Sequence, residues 1–316
     1  MNFQQLRSAR EAVRCRFNLT NVANALYTSQ PGVSRQIKEL EEELGIELFR
    51  RTGKRIIGLT EPGRHVLPII ERVLQEADNL RRASHDFVTR QHGVLTLAAT
   101  HTQARYALPV AVQEFRQAFP SVKLNIHQGS PHQIADMVLR GEADVGIATE
   151  ALAQYEELVA LPCYRWTHSV IVPSGHELTR LPLTLERLAE YPLITYDSGF
   201  TGRSYIDEAF AKKNLTPNIV LSAMDADVIK TYVDLGLGVG IVASLAFEPE
   251  RDVNLDAIEA GPLFGINLTR LAVRRGNYLR GFVYSFIESF APTLAHAHVR
   301  AILAGEAPVP ASLIAP

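Results

Sequence analysis

The chain has 316 residues, 47% of them hydrophobic and 21% charged, an ordinary globular balance with core material for two or three domains. No apolar run approaches the roughly 20 residues of a membrane span. Two distant cysteines, Cys15 and Cys163, argue against a zinc site or disulfide framework and suit a reducing compartment. The net charge of −2 would by itself argue against a nucleic-acid partner. It is unevenly distributed, however, with 15 Lys+Arg against 11 Asp+Glu in residues 1–90 and 17 against 23 in the remainder.

Residues 2–16 read as an amphipathic helix and not a signal peptide, so a cytoplasmic protein is expected. Phe3, Leu6, Ala9, Ala12 and Val13 form its apolar stripe. Asn18 to Leu44 reads as two helices joined by a sharp turn at Tyr27-Thr28-Ser29. Thr20 or Asn21 can cap the first helix; Ser29 caps the second, with Pro31 in its first turn. Val33, Ile37, Leu40 and Leu44 recur at helical spacing and predict the buried face. Gln30, Ser34, Arg35 and Lys38 lie opposite, side chains suited to base edges and phosphates in a major groove, and Thr28 and Pro31 join them as candidate DNA contacts. The plainer reading is a helical hairpin with a solvated polar face.

Short apolar runs bracket Thr52-Gly53-Lys54, which predicts a two-stranded wing over Arg50–Thr60. Arg50, Arg51, Lys54 and Arg55 would set positive charge at its tip and flank, suited to the DNA backbone or minor groove. Residues 62–90 form one long helix, with Pro62 in its first turn. Val66, Ile70, Val73, Ala77, Leu80, Ser84 and Phe87 alternate steps of four and three along it. This heptad seam predicts a dimer through the same helix of a second copy, and hence a DNA site with dyad-related halves.

After Gln91-His92-Gly93 the pattern changes to alternating strand and helix, which predicts parallel sheets flanked by helices. Strands are expected at 94–99, 123–127, 143–148, 169–172, 193–196, 219–223, 239–242 and 271–274. Helices are expected at 105–118, 131–140, 205–213 and 227–235 and over most of 279–303. Two stretches, SPHQIADMVLRGEADVGIAT and MDADVIKTYVDLGLGVGIVAS, share one rhythm and suggest two similar lobes. In such sheets ligands bind beyond the carboxyl ends of strands. The residues there are Thr100, His101, Thr102 and Gln103, then Thr149, then the run Asp197 to Ser204 with Thr201, Gly202 and Arg203, then Asp225 and Asp227. This set suits a small anion or zwitterion held by hydroxyl and N–H donors. The plainer reading is that each Thr or Ser caps the following helix. Gly236-Leu237-Gly238-Val239-Gly240 precedes a strand, the reverse of a dinucleotide loop, and His296 and His298 lack a third metal ligand. No catalytic set is visible, so an enzyme is not expected, and neither cofactor nor metal is called for.

The stretch LTNVANALYTSQPGVSRQIKELEEELGIELFRRTGKRIIGLTEPG resembles the N-terminal signature of LysR-type transcriptional regulators, with Gly32 in place of the family's commonest alanine. ATHTQARY, TYDSGFTGRS and DADVIKTYVDLGLGVGIVA resemble a narrower group, the CysB-type regulators of cysteine biosynthesis and sulfur assimilation. The resemblance implies an α/β protein with an N-terminal winged helix-turn-helix (1–60), a linker helix (61–90) and a two-lobed effector domain like a periplasmic binding protein (91–316). Lobe I would take about 91–162 plus 266–303 and lobe II about 163–265, with crossovers near Leu161–Arg165 and Gly261–Ile266 and Trp166 beside the first. It implies that Gln30, Ser34 and Arg35 contact DNA, and that Thr100, Thr102, Gln103, Thr149 and Thr201 contact the effector. That effector would be N-acetylserine, O-acetylserine or a sulfate-like anion. The implied partners are promoter DNA, RNA polymerase and further copies of the chain, in a tetramer.

Overall fold

The structure, a computed structural model, describes residues 1–53, 55–88, 92–200 and 202–310. It forms two compact units, Met1–Phe87 and Val88–Pro316.

In the first unit, α1 (Phe3–Arg14) starts in a capping box, with the Asn2 side chain accepting from the Gln4 and Gln5 amides and Gln5 accepting from the Asn2 amide. The chain then reverses through Arg16 and Phe17, whose φ values are 51° and 65°. This reversal sets Asn18, not Thr20 or Asn21, as the cap of α2 (Leu19–Ala25). Helix α3 (Gln30–Leu44) begins with Ser29 accepting from the Gly32 amide at 3.2 Å, as its sequence predicts. Val33, Ile37 and Leu40 are buried, but the last turn departs from expectation, since Leu44 is 37% exposed and Glu41 only 9%. The cause lies in the wing. The Leu48 and Phe49 amides need an acceptor, and the Glu41 carboxylate supplies one at 2.8 and 3.0 Å. Strands β1 (Phe49–Thr52) and β2 (Arg55–Leu59) pair antiparallel as the wing. Phe3, expected in the apolar stripe, is exposed.

Helix α4 (Glu61–Val88) follows directly, with Thr60 accepting from the Gly63 amide at 2.9 Å. A Cβ on Gly63 would stand 2.0 Å from the Leu48 carbonyl oxygen, so only glycine allows the helix to approach the wing this closely. Pro68 sits inside the helix, where it removes one backbone hydrogen bond. The heptad seam divides. Of its residues Val66 and Ile70, with Leu74 beside the seam, pack on the core of α1–α3, whereas Val73 and Leu80 are 40% and 70% exposed. The Phe87 side chain lies outside the described residues.

The second unit contains two five-stranded sheets. In chain order its elements are β3 (Gly93–Ala99), a π-helical turn (Gln103–Ala107), α5 (Leu108–Ala118), β4 (Val122–Gln128), α6 (Pro131–Arg140), β5 (Val145–Ala148) and β6 (Leu158–Trp166). Next come β7 (His168–Pro173), α7 (Leu185–Leu188), β8 (Pro192–Tyr196), α8 (Arg203–Lys212), β9 (Asn218–Ala223), α9 (Ala226–Asp234) and β10 (Val239–Ala243). The chain ends with β11 (Leu255–Glu259), α10 (Gly261–Phe264), β12 (Asn267–Arg274), α11 (Gly281–Phe290) and α12 (His296–Leu303). The first sheet runs β4-β3-β5-β12-β6 and the second β11-β7-β10-β8-β9.

The sheets are mixed rather than parallel, because β12 runs antiparallel to both β5 and β6, and β7 antiparallel to both β10 and β11. Apolar cores fill both faces of each sheet, with α5 and α11 opposite α6 on the first, and α8 opposite α9 on the second. The chain passes from the first sheet to the second at Thr167 and returns through Gly265 and Ile266. Residues 163–166, expected in the second lobe, therefore extend β6 of the first sheet, held by pairing with β12 from Asn267↔Trp166 to Arg274↔Leu158. The helix expected over 279–303 is broken between Phe290 and His296. Among the described residues no helix is long and apolar enough to cross a membrane, and no group of side chains could hold a metal ion.

Candidate functional site

Two surfaces gather the residues singled out by the sequence. On the first unit, Thr28, Gln30, Pro31, Arg35 and Lys38 are exposed along one side of α3 and its entry turn, and Ser34 is half-buried among them. Arg35 pairs with Glu39 at 3.6 Å and Lys38 with Glu42 at 3.4 Å, exposed pairs on their own helix. Such pairs hold their cations weakly and release them readily to a phosphate. A groove of about 620 Å³ runs between the start of α3 and the wing, lined by Arg16, Asn18, Thr20, Gln30, Thr52 and Arg55. Arg16 and Asn18 belong to the α1–α2 connection and Thr20 to the first turn of α2, and none of the three was singled out as a DNA contact. Arg55 is exposed there, whereas Arg51 is turned back onto Glu41 at 2.7 Å and braces the wing. Lys54 lies outside the described residues.

In the second unit the strand ends converge between the two sheets. Thr100, Thr102, Gln103 and Thr149 follow β3 and β5 and are all buried. The Gln103 amide is already committed, donating to Thr269 at 3.2 Å and accepting from the Tyr164 hydroxyl. Neither Thr102 nor Thr149 caps a helix with its side chain. The fully buried Thr102 oxygen has no well-formed hydrogen bond among the described residues. Across the cleft stands the Tyr196 phenol, which burial pushes up to about 12 although the Ala243 amide and the Thr102 hydroxyl both act to lower it. The indole N–H of Trp166 and the side-chain oxygen of Asn267 are likewise buried without partners. Asn267 begins a strand rather than ends one, so a search of strand ends passes over it.

From the second sheet, Gly202 has φ +69°, and a Cβ there would meet the Asn267 oxygen at 2.5 Å and a His168 ring carbon at 2.9 Å. Thr201 lies outside the described residues. Arg203, expected to meet an anion, is turned away, donating to the Tyr196 carbonyl at 2.6 Å and to Asp207 at 2.8 Å. Asp225 caps α9 through the Asp227 and Val228 amides and stands 3.3 Å from His101, so its carboxylate is also occupied. The cleft thus offers neutral donors. Cys163 lies in the apolar core of the first sheet, where burial pushes its thiol up to about 12 and leaves it unreactive.

Residues 3–64 match the bacterial regulatory helix-turn-helix protein family, lysR type, and residues 89–295 match the LysR substrate binding domain. The chain is 57% identical to the HTH-type transcriptional regulator CysB of Burkholderia cenocepacia over 97% of its own length and 98% of that protein. It is 56% identical to SsuR of the same organism (96% and 99% covered) and 54% identical to cbl of Escherichia coli (91% and 92%). The crystal structure of the cofactor-binding domain of the Cbl transcriptional regulator overlays with a TM-score of 0.65 at 48% identity, covering 67% of this chain and 93% of that one. A full-length OxyR variant from Pseudomonas aeruginosa shares the fold at 20% identity and a TM-score of 0.65, with 92% and 97% covered. With both family regions in place and more than half of its residues shared with such regulators from end to end, the chain belongs to the LysR family of transcriptional regulators, which are not enzymes.

Proposed function

We propose that this regulator controls genes of sulfur assimilation and cysteine biosynthesis, and that a small acetylserine or sulfate-like effector bound between its two lobes sets its engagement with promoter DNA. The single observation that carries the effector reading is the buried Thr102 hydroxyl just beyond the carboxyl end of β3, which has no well-formed hydrogen bond among the described residues although it lies beside the Tyr196 phenol. Thr100, Thr149 and the Trp166 N–H add neutral donors, and Gly202 lets the Asn267 and His168 side chains close on its backbone; Thr201, taken from the sequence, is proposed as a further contact. Gln103 and Arg203 act by shaping this set, since their polar groups are engaged within the fold. The high identity to CysB, SsuR and cbl supports the pathway.

Titration calorimetry on the full chain with N-acetylserine, O-acetylserine, sulfate and thiosulfate tests this. Saturable binding of at least one ligand is expected, and Thr102→Val should weaken it at least about tenfold by deleting one buried hydrogen bond. Undiminished binding by that variant overturns the site.

In the same reading, residues 1–60 are the DNA-binding head, 61–90 the dimerising linker and 91–316 the effector body of a cytoplasmic homotetramer that meets RNA polymerase at its promoters. Thr28, Gln30, Pro31, Ser34, Arg35, Lys38, Lys54 and Arg55 face the duplex, and Arg51 supports the wing from behind. Arg35→Ala should cost about 1–3 kcal/mol at the promoter and relax its base preference, whereas Lys54→Ala should weaken binding to all sequences and lower the salt slope by about one. Gel-shift titrations at several salt concentrations distinguish the two; unchanged affinity in both variants would remove the recognition surface from α3 and the wing.

A further inference from the structure

The π-helical turn that carries Gln103 also carries Arg105 and Tyr106, and both reach across to the second lobe. The Tyr106 hydroxyl donates to Asp227, and Arg105 stands 3.4 Å from the same carboxylate and 3.7 Å from Glu248. The Tyr106 ring packs on the α9-side core of the second sheet, beneath the Lys230 ammonium at 5.3 Å. Lys230 is itself buried, donating to both Asp252 oxygens at 2.9 and 2.8 Å and to the Ala246 carbonyl at 2.8 Å, and it lies 3.3 Å from Asp227. Burial works to raise the Asp227 carboxyl, yet the Tyr106 hydroxyl, Lys230 and Arg105 together hold it below the usual carboxylate value. At the near end of the same segment, one Asp225 oxygen caps α9 and the other faces His101.

Two carboxylates, two residues apart at the start of one helix, thus hold residues 101–106 of the opposite lobe on both sides of Thr102 and Gln103. We infer that Asp225 and Asp227 are positioning residues of the effector site, fixing the pose of the Thr102 segment only while α9 is docked against it. The inference deepens the effector reading above and rests on Thr102 being a ligand contact. A π-turn suits such a role, because its displaced hydrogen-bond register is less well held by its own backbone than an α-helix and depends on what packs against it.

Tyr106→Phe keeps the ring and removes the hydroxyl; Asp227→Asn keeps the shape and removes the charge. Amide hydrogen exchange of the full chain in peptides covering 100–108 should accelerate about tenfold in each variant, with the later residues of α5 unchanged. Affinity for whichever of N-acetylserine, O-acetylserine or sulfate the unmodified chain binds should fall about tenfold, and the double variant should be no weaker than either single one. Thr102→Val serves as the counterpart, losing binding while 100–108 stays protected. Unchanged exchange in both Tyr106→Phe and Asp227→Asn overturns the inference, as does faster exchange with undiminished affinity. Should Thr102→Val still bind, the effector reading fails, and the exchange result alone decides whether the segment is held from α9.

Discussion

Glu41 shows how one side chain can join two elements of a reading head. Its carboxylate accepts from the Leu48 and Phe49 amides and pairs with Arg51, so recognition helix and wing share a single buried charge. Removing it would leave two amides and a half-buried guanidinium without their acceptor. Glu41→Ala should therefore destabilise the head by about 3 kcal/mol, read from thermal melts of the full chain. A melting point within one or two degrees of the parent would show that water replaces the carboxylate at little cost. The helical spacing that placed Leu44 inside was correct in period but blind to this partner, because Gly45 ends the helix before Leu44 can meet a neighbour, while the wing arrives over Glu41. Arg51 and Arg203 meet acceptors that the sequence does not announce. A cation in a basic or ligand-facing stretch carries no mark in the sequence of the carboxylate or carbonyl that will occupy it.

At the scale of elements, α4 does two jobs along its length. Its first turns complete the head core through Val66, Ile70 and Leu74, while Val73 on another face and Leu80 further on are left facing solvent. Burial of Leu80 in a paired helix would contribute about 1.5–3 kcal/mol per copy. Leu80→Glu should hence convert an oligomer to smaller species in sedimentation or light scattering at micromolar protein, and unchanged mass would place the interface elsewhere. Elements with local signals were legible in the sequence. The Ser29 cap with Pro31, the Thr52–Gly53 turn of the wing, and α6 between Pro131 and Arg140 all lie where capping and periodicity placed them. Strand direction was not legible, since an apolar run looks the same in either sense; only the long-range pairing of β12 with β5 and β6 makes the first sheet mixed. The β6 strand was hidden by Pro162 and by the expected crossover, and β11 by a weakly apolar edge sequence, Leu255–Glu259.

For the whole molecule, the buried tyrosines set an alkaline limit. Tyr164 and Tyr196 have phenols pushed by burial up to about 12, above the ordinary value of 10.0. A raised folded-state value stabilises the protein below the unfolded value and ceases to do so as pH climbs through the folded one. Stability of the effector body should therefore fall between about pH 10 and 12. Tyrosinate absorbance from these two residues should then rise together with loss of the circular dichroism signal. Complete titration of every tyrosine near pH 10 with the fold intact would contradict their burial.

The two chain crossings leave the first sheet from a single ladder rung, where Trp166 faces Asn267. Side-by-side strands of this kind behave as a torsion bar: they twist at small cost and resist sliding, because translation would stretch both backbones at once. The rung lies near one end of each sheet, with β4 at the far edge of the first and β9 at the far edge of the second. Displacement grows with distance from the axis, so a rotation barely felt at the indole of Trp166 becomes a large excursion at those edges. The ends of β3 and β9, which carry Thr102 and lead into Asp225, lie away from that axis, so a small twist at the rung is read as a larger displacement where those two segments meet.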